Sequence, residues 1–275
     1  MSDYPFERIL LATEHTEFDV GAERIAFAMA KRCGVPLRAV LPVESNPEYV
    51  VQAPERLQRE DQEAAAKVES LRAKAAAAGV EIEIKVRHGA ETYREIVEEA
   101  TSTNTDLIVI RRRGKPGFLS NKLVGEMVSK VIRDAHCSVL TVPRNAEFWQ
   151  KGVLASVGDT PLAREISQLS AGIAQVCGLP LTIISIADSA AAMSRIESLN
   201  AAYVSAANTL SDNVQGWVRE GAPAEQTVSV ARETAADLIV IGRQRYHLIP
   251  FIHGNTSVMQ KIIGAIEVPT LVVPA

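Results

Sequence analysis

Cysteine is scarce in this sequence: only Cys33, Cys137 and Cys177 occur among 275 residues. Three thiols build neither a disulfide framework nor a zinc set, so no stapled or metal-dependent fold is expected. Cys33 and Cys177 each precede a Gly-x-Pro segment at the end of a helical pattern. The ordinary reading there is a small buried hydrophobe rather than a redox group. The five histidines lack the paired spacing of a zinc-binding helix, and a metal site is not expected. Aromatic residues make up 5% of the chain, so the cores must be built from Ala, Val, Leu and Ile, as in buried parallel strands covered by helices. A net charge of −4 provides no basic footprint for nucleic acid or for an anionic membrane. No apolar run reaches the roughly 18 residues of a membrane span, and no charged-then-apolar leader precedes Ile9. The expectation is a cytoplasmic protein.

What is present is a duplication. The segment DLIVI at 106–110 returns at 237–241, and VLTVP at 139–143 returns as TLVVP at 270–274, both at an offset of 131 residues. Nearer the start of each copy, RCGVPL at 32–37 matches VCGLPL at 176–181, and 9–16 faces 153–160, at an offset of 144. The second copy is therefore shorter in its middle. A long period that occurs twice means two domains rather than a solenoid. The expected boundaries are 1–147 and 148–275, joined by a linker over 144–151 whose Phe148 and Trp149 are read as a packing plug between the halves.

Each copy reads as strand and helix in alternation. In the first, apolar runs at 8–13, 37–43, 106–110 and 139–142 and an alternating strand at 80–86 are separated by helical patterns at 22–33, 55–78, 91–102 and 122–134. The second follows the same order, with strands near 153–157, 181–187, 213–219, 238–242 and 270–273. Its second helical segment, 190–211, holds only Arg195 and Glu197 as charged residues. Two readings stand for it: a helix lying against the other half or over a pocket, or a bland surface helix. The pattern predicts α/β architecture: two repeated domains, each a doubly wound, five-stranded parallel sheet with right-handed crossovers.

A Val-Leu-x-Val-Pro final strand in the first copy, echoed in the second, and a turn directly after the DLIVI strand resemble the tandem universal stress proteins, across essentially both halves. The resemblance implies a flavodoxin-like (Rossmann-like) sheet in each half and an internal pseudo-dimer in which the two halves pair through their last strands, because apolar edges must be covered. It also implies further protein partners and a possible homodimer. Nucleotide-binding members carry G-x2-G-x9-G-[S/T] after the fourth strand and an acidic residue at the end of the first, so ATP or AMP is the implied cofactor. The logic is that ligands sit beyond the carboxyl ends of strands where strand order reverses, with glycines letting backbone N–H groups approach phosphate.

Against that motif, the first half has Arg111 in place of the first glycine. Gly114, Gly117 and Gly125 follow, with Glu126 where a hydroxyl should meet a phosphate. Arg111, Arg112, Arg113 and Lys115 could hold an anion, or could form a charged turn paired with Glu126 and other carboxylates. Glu14 stands at the adenine-reading position, and Val43, ending the second strand, joins the implied nucleotide contacts. In the second half Gly242 keeps the first glycine and Arg245 replaces the second, while Gly254, Asn255, Thr256 and Ser257 could form an anion turn at a helix start. Arg243, Arg245, His247 and His253 surround that turn without a carboxylate. Gly158 takes the acidic position, with Asp159 one residue late. The second half is thus the expected binding half, unless Asn255 and Ser257 merely cap a helix. No nucleophile elbow, Walker lysine or spaced carboxylate pair occurs. The expectation is a non-catalytic stress-response regulator, with slow ATP turnover left open by the resemblance, or a scaffold whose pockets have degenerated.

Overall fold

The structure is a computed structural model that describes residues 4–45, 54–112, 124–243 and 257–274. Its first half runs β1 (Ile9–Ala12), α1 (Val20–Cys33), β2 (Leu37–Glu44), α2 (Pro54–Ala77), β3 (Ile82–Gly89), α3 (Thr92–Ser102), β4 (Leu107–Arg111), α4 (Glu126–Asp134) and β5 (Ser138–Val142). The second half repeats the order with β6 (Val153–Ser156), α5 (Ala163–Cys177), β7 (Leu181–Ala187), α6 (Met193–Ala207), β8 (Val214–Glu220), α7 (Pro223–Glu233), β9 (Leu238–Gly242), α8 (Val258–Ala265) and β10 (Thr270–Val273). The expected helix over 190–211 is shorter than its pattern. A 3-10 turn at Ala190–Ala192 precedes α6, which ends at Ala207. That helix lies on its own half, against α5, β7 and β8. Its buried Asn200 donates to the Ile183 carbonyl at 3.1 Å and to Ser185 Oγ at 3.0 Å.

The repeated Cys-Gly pairs end α1 and α5 for one reason. Gly34 and Gly178 both adopt φ of 65°, the left-handed conformation that a residue without Cβ enters at no steric cost. The chain then turns directly into β2 or β7. Cys33 lies in the core beside this turn, and burial pushes its thiol up to about 11; Cys137 is pushed up to about 12 by the same cause.

All ten strands form one sheet in the order β3-β2-β1-β4-β5-β10-β9-β6-β7-β8. Pairing is parallel within each half and antiparallel only at the centre, where Thr141 faces Thr270, Leu140 faces Leu271 and Val139 faces Val272. The halves therefore join through their last strands, as expected, and two edges that would be apolar become the middle of a continuous sheet. One face is covered by α1, α2, α5 and α6, the other by α3, α4, α7 and α8. Alternate residues of β5 and β10 divide between them: Leu140 and Leu271 point to the first face, Val139 and Val272 to the second. On the first face the linker supplies Phe148 and Trp149, both buried, stacked with centroids 4.1 Å apart, with the Arg32 guanidinium 4.0 Å from the Phe148 centroid.

The aspartate of each DLIVI segment has a specific task. Asp106 accepts hydrogen bonds from the backbone N–H groups of Glu7 and Arg8 at 2.9 and 3.0 Å. Asp237 does the same for Gln150, Lys151 and Gly152 at 2.7, 3.0 and 3.1 Å. Each carboxylate fixes the chain entering the first strand of its half. Replacing Asp106 or Asp237 by Ala is expected to cost about 1–3 kcal/mol by leaving charge-assisted bonds unmade; urea denaturation followed by circular dichroism checks this. Thiol titration of the native protein is expected to modify Cys177, which is half-buried, ahead of Cys33 and Cys137, which should react only on unfolding.

Candidate functional site

Within each half strand order reverses once, between β1 and β4 in the first and between β6 and β9 in the second. The carboxyl ends of these pairs are where an α/β fold offers a crevice. The two halves treat that place in opposite ways.

In the first half Arg111, at the last position of β4, is 5% exposed and turns its guanidinium towards the loop after β1. One nitrogen donates to Glu14 at 2.7 Å and another to Asp19 at 3.0 Å, and Thr16 Oγ1 lies 3.3 Å away. Asp19 is itself 1% exposed and also accepts from the Thr16 amide and hydroxyl at 2.9 and 2.6 Å. Burial pushes the Asp19 carboxyl above its ordinary range, while Arg111 and the Thr16 bonds pull it back. A cation with two carboxylates thus fills the first switch point. Glu14, expected to read adenine, is engaged by Arg111, so the described arginine at the start of the turn does pair with carboxylates. Glu126 opens α4 and pairs with Lys130 at 3.0 Å, and Gly125 precedes it as the N-cap residue. Val43 lies near the carboxyl end of β2, in register with His88 of β3.

In the second half the whole charged set is missing. Gly242 stands at the repeat position of Arg111, Gly158 at that of Glu14 and Ala163 at that of Asp19. A Cβ on Gly242 would come within 2.8 Å of Ile166 Cδ1 and 3.1 Å of Leu162 Cδ2. Ile166 occupies the repeat position of Ala22, so side-chain volume has moved from the strand end to the helix. The glycine is needed for that close approach, a packing reason that stands beside any role in letting a phosphate near the backbone. Gly158 and Asp159 are exposed, and Asp159 pairs with Arg195 of α6. Tyr203 packs nearby, its phenol raised by burial and by Asp159. Ser257 is the N-cap of α8: its hydroxyl accepts from the Gln260 amide at 3.2 Å, and Gln260 Oε1 accepts from the Ser257 amide at 3.2 Å. This capping box satisfies two donors that an anion could otherwise have claimed.

Arg243 does not face this crevice. One of its nitrogens donates across the central seam to the Ile132, Arg133 and Ala135 carbonyls at 2.6, 3.1 and 2.7 Å, at the carboxyl end of α4. Arg112, its repeat equivalent, reaches the other way to the Ile263 carbonyl at 3.2 Å, the Ile266 carbonyl and both Glu267 carboxylate oxygens at 2.7 Å, beyond α8. The acceptors are repeat equivalents too, since Ile132 corresponds to Ile263 and Ala135 to Ile266. Each half thus caps the last helix of the other with a cation where the helix dipole is negative. Arg243, expected beside the anion turn, thus also ties the second half to the first. Gly114, Gly117, Arg245, Gly254, Asn255 and Thr256, with Arg113, Lys115, His247 and His253, lie outside the described residues.

A second polar cluster escaped the sequence reading. His15, with φ of 51°, places Nδ1 2.7 Å from Glu23 Oε1 and Nε2 2.9 Å from Ser70 Oγ. Glu23 is buried and also receives Thr13 Oγ1 at 3.1 Å and Lys74 Nζ at 3.2 Å. The one signal available was the spacing of Ser70 and Lys74, one turn apart on α2. Among the described residues no group of three His, Cys, Asp or Glu side chains is placed to hold a metal ion, and no helix is long and apolar enough to cross a membrane.

Comparison with known proteins gives a consistent result. The family model described as Universal stress protein family matches residues 5–143 and 177–274. Universal stress protein MJ0531 of Methanocaldococcus jannaschii is 32% identical over 146 residues, covering 50% of this chain and 83% of that protein. Among solved structures, a universal stress protein from Archaeoglobus fulgidus aligns with TM-score 0.75 over 100% of this chain and 99% of its own, at 17% identity. A functionally unknown protein, PA1789 from Pseudomonas aeruginosa, aligns with TM-score 0.68 over 98% and 93%, at 18% identity. These two structures share the fold. With the family model matching most of both halves, the chain belongs to the universal stress protein family, as a tandem member carrying two such domains.

Proposed function

We propose that this protein is a ligand-responsive regulator of stress physiology in which the second half binds an adenine nucleotide, ATP or AMP, at the carboxyl ends of β6 and β9, while the first half serves as its scaffold. The observation that supports this is the contrast at one repeat position. Arg111 with Glu14 and Asp19 fills the first crevice, whereas Gly242, Gly158 and Ala163 put neither a long side chain nor a charge there in the second. Among the described residues, the carboxylate in the loop after β6 is Asp159, and Arg195 pairs with it. The role at this crevice is binding. A nucleotide held there changes which partner docks only through its different affinity for two states of the protein. The other reading, a partner-binding scaffold with both crevices closed, draws on the commitment of Arg243 and Ser257 to helix caps.

Native mass spectrometry with ATP, ADP and AMP separates the two readings: one nucleotide per chain is expected. Bound ligand at a hundredfold excess over Kd should stabilise the fold by about 2.7 kcal/mol in thermal melts. Absence of any adduct at millimolar nucleotide would favour the scaffold. A Cβ on Gly158 would make an ordinary van der Waals contact with Thr160 Cγ2 at 3.9 Å, so Gly158→Asp restores the family's acidic position without a clash. It is expected to tighten AMP about threefold to tenfold by isothermal titration, one hydrogen bond's worth. In the first half, Arg111→Met leaves Glu14 and Asp19 without their cation and should destabilise by about 3–5 kcal/mol. Asp19, already raised by burial, should then rise further. A carboxyl raised in the folded state binds more protons there than in the unfolded chain, so stability declines as pH climbs from the unfolded value of about 3.9. The variant should therefore lose more at neutral pH than in mild acid, as chemical denaturation at several pH values would show.

A further inference from the structure

The cluster around His15 has the connectivity of a hydrolytic triad, and neither proposed function nor fold uses it as one. Glu23 is 3% exposed at its side chain, with Thr13 Oγ1 and Lys74 Nζ holding it. An ionised carboxylate only accepts, so the 2.7 Å contact requires the proton on His15 Nδ1. In the neutral ring Nε2 then carries a lone pair, and that lone pair faces Ser70 Oγ at 2.9 Å. Acid, base and hydroxyl are joined in the order that activates a serine, with the base oriented by a buried third group. His15 also keeps a positive φ, 51°, pinned by its amide donating to Thr13 Oγ1 at 2.9 Å. A non-glycine residue held there costs energy, and such strain gathers where side-chain placement matters. Ser70 lies on the exposed face of α2, with Ala66 one turn before it and Lys74 one turn after, so small molecules can reach the hydroxyl.

We propose that Ser70, His15 and Glu23 form a nucleophilic site for small, activated acyl esters. His15 Nε2 takes the Ser70 proton as Oγ bonds to the carbonyl carbon, and the carbonyl π pair moves onto oxygen. The tetrahedral species collapses with loss of the alkoxide, which leaves as alcohol with the proton from Nε2, and Ser70 is acylated. Water, deprotonated by the same nitrogen, then adds to the acyl carbon; the resulting tetrahedral species expels Ser70 Oγ, which takes the proton back from Nε2, and the carboxylic acid leaves. Lys74 is the nearby cation for the oxyanion, since its ammonium has three donors and one is spent on Glu23. Mid-helix N–H groups are taken by the helix, so no backbone oxyanion hole assists and the acceleration rests on general base catalysis, about 10²–10⁴-fold.

The test uses the full chain with a fluorophosphonate probe and p-nitrophenyl acetate. Intact and peptide mass spectrometry should find one adduct, on Ser70. Labelling should vanish in Ser70→Ala and fall at least tenfold in His15→Asn, whose side chain tolerates the same positive φ. Ester turnover should fall in parallel. Ser70 is exposed, so thermal melts of Ser70→Ala should match the wild type, and a lost adduct then reports chemistry rather than unfolding. A cluster that only pins the loop to α2 would change melting in these variants without any adduct forming in the wild type. Labelling of wild type no faster than Ser70→Ala, or an adduct at another residue, would overturn the proposal.

Discussion

Every other feature of this molecule depends on the antiparallel pairing of β5 with β10. Each half ends in a short apolar strand, and a strand of that kind exposed at a sheet edge is a template for aggregation. Joining the two places them at the centre of a ten-stranded sheet, and moves the edges to β3, where polar residues alternate with apolar ones, and to β8, which carries Gln215, Arg219 and Glu220. Arg112 and Arg243 reinforce the seam by each capping the last helix of the other half. Because both arginines directly follow their fourth strands, the turns that would cradle a ligand are tethered at their first residue to the opposite domain.

Duplication supplied two equal crevices, and side-chain volume and charge then made them unequal. Where the first half places Arg111 beside Ala22, the second places Gly242 beside Ile166. The total bulk is comparable but its character is not: one crevice is floored by a neutralised cation, the other by aliphatic carbon. The same divergence removed Glu14, Asp19 and Glu23 from the second half, where Gly158, Ala163 and Ser167 stand instead. Among the described residues, the charged network of Arg111, Glu14 and Asp19 has no counterpart at these positions of the second half. This network rigidifies the loop after β1 because a buried polar group left unsatisfied is costly.

The fold was largely legible because its signals are local and periodic. Apolar runs at 106–110 and 238–242, helical spacing in α1 and the Gly34 and Gly178 stops all act within a few residues. The exceptions are equally physical. The segment 190–211 reads as one helix, but its start tightens into a 3-10 turn after Ser189 and its end breaks after Ala207, where Asn208 is the C-cap residue. The candidate site was less legible. Arg243 reads as an anion holder from its neighbours in sequence, and sequence gives no sign that it also donates to the carbonyls of Ile132 and Ala135, more than a hundred residues away. Ser257 was recognised as either an anion ligand or a cap, and its side chain is used as a cap.

By itself the sequence determined that there are two domains, that each alternates strand and helix, and that both must hide an apolar last strand, because repetition and hydrophobic period are written along the chain. Only the tertiary structure decided which charges meet. Arg111 with Glu14 and Asp19, Arg112 with Glu267, and His15 with Glu23 and Ser70 are brought together by the sheet order and by the seam. Electrostatic and hydrogen-bonding partners are chosen by distance in space and by burial, and neither quantity is encoded in sequence spacing.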